Sequence, residues 1–179
     1  MEQITILTEN PFLASILQLF LNPTPYFLGV VFILLIIFFY GVKTGKGRLI
    51  LNLLSLYVAI VLTILFPYRN YLLEKTSISE PYFIELGLFI VAFFLVLILF
   101  VNSPLRNLAI KSRGHIFQVL LLSILILGVF VSHITVLLPA EILAKLDHPV
   151  FTYFKTEIAQ FWWALAGVVG LAVLRRKGE

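Results

Sequence analysis

Residues 40–63 read YGVKTGKGRLILNLLSLYVAIVLT, a short cationic turn between two apolar segments followed by a helix with one narrow polar stripe. At the pitch of an α-helix, Gly45, Arg48, Asn52, Ser55, Ala59 and Thr63 fall within an arc of about 80°. Leu, Ile, Val and Tyr fill the rest of the circumference. That pattern describes a membrane helix with one side turned toward protein. Lys43, Lys46 and Arg48 lie in or beside the turn, and three cations so close together place it on the cytoplasmic side. The direction of every other segment follows from that placement.

Working outward, the rest of the chain is as apolar as this stretch. Of 179 residues, 61% are hydrophobic and only 12% charged, and the mean hydropathy is +1.07. A soluble domain carries about 25% charged residues, so the bilayer must serve as part of the solvent. The net charge is +4, but its Lys and Arg sit in short loops between apolar runs and form no basic face. Nucleic acid is therefore not an expected partner. The absence of cysteine excludes disulfides, thiolate metal sites and thiol nucleophiles. No Lys or Arg precedes the first apolar run, so a cleaved signal peptide is not expected.

Five apolar runs are long enough to cross: residues 26–42, 49–66, 82–101, 116–138 and 158–174. A span needs about 20 residues, with a lower limit near 17. Residues 12–21 are apolar for ten positions between Asn10-Pro11 and Asn22-Pro23, and they read as a short helix lying in the interface. The expected architecture is thus all-α: an N-terminal interfacial segment over 1–25 and a transmembrane domain over 26–179. Loop charges give its orientation. With five spans, one side carries nine cations and one acid, Glu179, and the other carries four cations and eight acids. That bias puts the N-terminus outside and the C-terminus inside, whereas four spans would leave Arg175, Arg176 and Lys177 outside.

All eight prolines lie between the runs or at their edges, where a missing N–H costs least. Ion-binding transporters interrupt their spans in the middle, and no proline does so here. Between Pro139 and Glu157, Ile142, Leu143 and Leu146 make an apolar face followed by Val150, Phe151, Tyr153 and Phe154, an amphipathic segment expected on the outer leaflet. Trp162 and Trp163 follow at the outer end of the fifth span, where indole rings favour the interface.

Small and polar faces are how membrane helices pack, because lipid supplies no hydrophobic drive between them. Span four has a weaker stripe in Gly114, Gln118, Gly128, Ser132 and Thr135, and it is expected to meet that of span two. Gly41-x-x-x-Gly45 has the spacing of a helix-pairing motif but runs into the turn, so a turn requirement explains it equally well. Arg48, Glu85 and His133 are the ionisable groups nearest the membrane interior. Each is close enough to a span end for a solvated or locally paired role. His115, His133 and His148 lie at different depths and cannot share a metal. No zinc, phosphate-loop or nucleophile motif is present, so neither an enzyme nor a cofactor is expected.

Gly41-x3-Gly45-x2-Arg48 followed by Asn52, Ser55 and Ala59 resembles the colicin V production protein family. In that family a first span, a cationic Gly/Arg turn and a span with small and Ser residues precede two further spans around a second basic loop. The resemblance covers about residues 26–154. A fifth span, and a single Gly114 where family members carry several glycines, are departures from it. It implies a non-enzymatic inner-membrane protein connected with toxin production or export and with envelope upkeep, and it supplies no catalytic residue. The set Gly41, Gly45, Arg48, Asn52, Ser55 and Ala59 is then an interhelical or lipid-contact stripe. The expected partners are the bilayer and a second copy or another membrane protein. The competing reading is an oligomeric small channel or transporter subunit, with the stripe lining a route between protomers.

Overall fold

The computed structural model describes residues 25–76, 80–105, 115–145 and 154–174, and every element among them is helical. In chain order these are α1 (Pro25–Thr44), α2 (Lys46–Leu65), α3 (Arg69–Lys75), α4 (Pro81–Val101), α5 (Ile116–Leu137), α6 (Ala140–Lys145) and α7 (Glu157–Leu174). The interfacial helix expected over residues 12–21 lies outside the described residues. So do Gly114, residues 146–153 of the amphipathic segment, and the basic triplet 175–177.

Four helices, α1, α2, α4 and α5, are long and apolar enough to cross a membrane. α2, at 20 residues, is about 30 Å long, matching a hydrocarbon core. Prolines mark the boundaries: Pro25 and Pro81 open α1 and α4, while Pro67 and Pro139 follow the ends of α2 and α5. At the first position of a helix the ring costs nothing, since that N–H has no intrahelical acceptor.

The turn between α1 and α2 is tighter than the sequence suggests. α2 starts at Lys46 rather than Leu49, α1 runs to Thr44, and a single residue, Gly45, reverses the chain. Its φ of 89° and ψ of 161° belong to a region that only glycine visits cheaply. Gly45 N–H donates to the Gly41 carbonyl at 2.8 Å, closing the last turn of α1.

The core is an α2–α5 pair. Of the apolar windows in the spanning helices, 39% of residues in α2 and 56% in α5 are buried inside the protein, against 6% in α1 and 11% in α4. Leu49, Leu53, Leu56 and Ala59 of α2 meet Val119, Leu122, Ile126 and Val129 of α5, and Phe89 of α4 completes the cluster. α2 and α5 run parallel, because Lys46 and Gln118, each near its helix start, lie within hydrogen-bond distance. α4 packs along α2, and α1 touches α5 and α2 near its C-terminal end.

α7 is shorter, its apolar stretch running over Glu157–Val173, and it lies antiparallel along α5. Thr135 bonds to Phe154 just before α7, Gly128 faces Trp163, and Leu125 faces Gly170. A side chain at Gly128 would collide with the Trp163 ring. Trp163 also stacks on Phe154, 5.3 Å between centroids and 7° from parallel. The two tryptophans therefore part company: Trp162 is exposed as an interfacial ring would be, whereas Trp163 is drawn into the bundle because position 128 leaves room for it.

Candidate functional site

Two polar regions are built on the α2–α5 pair, one at each end. The first is the turn end, where the sequence places the stripe. Gly41 is buried, with Leu49 and Val119 occupying the space a side chain there would need. Gly45 makes the reversal. Ser55 and Ala59 are wholly buried, and the Ser55 hydroxyl has no hydrogen-bond partner among the described residues. Arg48 is exposed and Asn52 half-buried. The six residues thus divide: Gly41, Ser55 and Ala59 point into the fold, while Arg48 and part of Asn52 are left outside it.

A residue not counted in the stripe does the joining at this end. Lys46 is 7% exposed, and its Nζ donates to Gln118 Oε1 at 3.3 Å. The polar faces of spans two and four therefore meet here through a hydrogen bond. Farther along α5, Gly128 and Thr135 turn to α7 and its approach, and Thr135 Oγ1 divides its proton between the carbonyls of Ser132 at 2.7 Å and Phe154 at 2.9 Å. The stripe of α5 is thus shared: Gln118 meets α2, while Gly128 and Thr135 serve α7 and its approach.

The second region lies at the opposite end, where α2, α4 and α5 splay and α3 and α7 close over them. It is a cavity of about 520 Å³, walled by Ile60, Leu88, Val129 and Leu137 among others, with Thr63, Arg69, Glu85, Ser132, His133 and Gln160 as its polar groups. Both nitrogens Nε and Nη2 of Arg69 donate to Glu85 Oε1, the Nε bond measuring 3.0 Å. The His133 ring packs on Phe89, 4.6 Å between centroids. The Ser132 hydroxyl and His133 Nε2 are buried without hydrogen-bond partners among the described residues. Thr63 Oγ1 is satisfied by the Ala59 carbonyl at 2.8 Å, and the Gln160 amide nitrogen donates to the Lys155 carbonyl at 3.3 Å.

Glu85 and His133 were visible in the sequence as the ionisable groups deepest in their spans. Arg69 and Gln160 were not, since both read as loop or span-edge residues. Opposite charges flanking the loop between two consecutive spans were the signal available for Arg69 and Glu85, whose separation is 16 positions. Nothing in the sequence shows that α7 would bring Gln160 to the same place. Among the described residues no group of three His, Asp or Glu side chains is placed to hold a metal, and the cavity presents no nucleophile paired with a base. It is an apolar chamber with a charge pair at one edge. No family model, curated protein or solved structure matches the chain.

Proposed function

We propose that this chain is a non-enzymatic, multi-pass component of the cell (cytoplasmic or inner) membrane that works by association, with a second copy of itself or with another membrane protein. The observation that carries this reading is Asn52. It sits in the second turn of a spanning helix, half-exposed, with no hydrogen bond among the described residues. A side-chain amide facing hydrocarbon gains by finding a partner across an interface. Arg48, one turn nearer the helix start and exposed, can reach lipid phosphates or an acidic partner.

The reading includes five spans, with the N-terminus outside and the C-terminus inside. Its support is the antiparallel course of α7 along α5 and the nine-to-one excess of cations over acids that five spans would collect on one side. A role in toxin production or export and envelope upkeep rests on the turn residues Gly41, Gly45 and Arg48 and the Asn52, Ser55 and Ala59 that follow, which resemble those of the colicin V production proteins.

The test is association in lipid nanodiscs or bicelles at defined protein-to-lipid ratio. Asn52→Leu is expected to weaken self-association or partner capture about threefold to tenfold, the worth of one interhelical amide hydrogen bond. Undiminished assembly by Asn52→Leu removes the reading. Single cysteines at 43 and 177, introduced into a chain with no thiol of its own, are expected to react only from the cytoplasmic side.

A further inference from the structure

The cavity at the α3 end has a composition that specifies an occupant. Its floor and walls are aliphatic, and a volume near 520 Å³ falls within the roughly 300–1,000 Å³ that holds a drug-sized ligand. Ile64 and Val136 line it and are also largely exposed on the outside of the bundle. The chamber therefore opens through an apolar mouth onto the surface that lipid covers. At its edge lie Arg69 and Glu85. Glu85 is the fifth residue of α4, about 6 Å from the helix start at 1.5 Å per residue, so the pair sits at the end of the span where head groups are within reach.

The charges at this edge are balanced but not exhausted. Arg69 Nε and Nη2 both go to Glu85 Oε1, leaving Glu85 Oε2 as an acceptor and Arg69 Nη1 as a donor without partners among the described residues. An anionic head placed here would meet the Glu85 carboxylate, and a cationic one the Arg69 guanidinium. A head carrying both charges meets each with its opposite. We propose that the cavity binds a zwitterionic single-chain amphiphile, with Glu85 receiving its ammonium group, Arg69 its phosphate, and the aliphatic walls its acyl chain. Ser132 and His133 also line the chamber, but neither carries the paired charges on which this contact rests.

This inference stands apart from the association reading, since Arg48 and Asn52 are at the other end of α2. It is tested on the full chain in a non-ionic detergent, with 1-oleoyl-lysophosphatidylethanolamine as the probe and oleate and oleylamine as the controls, each bound species being counted by native mass spectrometry. The wild type is expected to bind the zwitterion saturably, one per chain, and at least about tenfold more tightly than either control. Glu85→Gln leaves an unopposed guanidinium and is expected to move the preference to oleate. Arg69→Gln leaves an unopposed carboxylate and is expected to move it to oleylamine. Leu88→Trp narrows the chamber and is expected to weaken binding of all three. Unchanged preference in both charge variants, or equal binding of zwitterion and oleate by the wild type, overturns the proposal. Should Glu85→Gln fail to fold, the more exposed Arg69→Gln together with Leu88→Trp gives the same decision.

Discussion

The two ends of the α2–α5 pair use similar residues to opposite effect. At the turn end, Gly41, Leu49 and Val119 are in contact, Lys46 and Gln118 meet, and one glycine closes the loop. At the other end, Ile60, Leu88 and Val129 stand apart around a chamber, and a charge pair sits at its edge. The turn end is closed by the one-residue link at Gly45 and by Gly41, whose missing side chain lets Leu49 and Val119 approach α1. The far end is bordered by α3 and α7, whose Arg69, Leu72, Gln160 and Ala164 line the chamber without filling it.

Adding volume at each end separates them most sharply. Gly41→Leu drives a side chain into Leu49 and Val119 and is expected to cost about 3 kcal/mol, read as a shift in an SDS or thermal unfolding curve in bicelles, since overpacking a close-packed site costs roughly 1–3 kcal/mol. Gly45→Ala comes next, at about 2 kcal/mol by the same measurement, because its backbone angles are strained for any residue with a Cβ. An effect below half of that would mean that the turn relaxes and is not the fixed point that the comparison assumes.

Lys46→Met keeps the length of the side chain but leaves the Gln118 amide unpaired in a buried position, an expected loss of about 1 kcal/mol. Gln118→Leu in the same background should restore part of it, since replacing both partners removes the unsatisfied group; no recovery would mean that the two side chains do not act as a pair. The smallest effect belongs to the cavity end. Val136→Phe adds volume where there is room, and stability is expected to change by less than about 0.5 kcal/mol, the usual size for a substitution that touches no packed feature. A large loss there would show that the chamber is closed when the chain is in a bilayer.

Much of this bundle was legible in the sequence because the bilayer imposes a strong one-dimensional constraint. Proline positions and apolar length located α1, α2, α4, α5 and α7 to within a few residues, the largest shift being the start of α2 at Lys46 in place of Leu49. The membrane-facing reading of the charged loops made Lys46 one of three solvated cations, and the Gln118 partner 72 positions away gave no local sign of drawing it inward. The stripe on α2 was legible as a stripe, yet its division into inward Ser55 and Ala59 and outward Arg48 depends on where α4 and α5 stand. Gly128 and Trp163 each looked ordinary alone, one an isolated glycine and the other an interfacial ring, and only their antiparallel juxtaposition makes them a contact.

What the amino-acid order determined by itself is the solvent and the partition: which runs belong in hydrocarbon, where they stop, and which loops carry the cations. Those follow from transfer free energy summed along the chain, a property that needs no neighbours. What the tertiary structure alone decided is which polar groups are used up inside the bundle and which remain for something else, and that a chamber edged by Arg69 and Glu85 exists at all. Such outcomes depend on the lateral arrangement of helices, set in part by close approach at glycine, and two helices of unchanged hydropathy can be arranged in many ways.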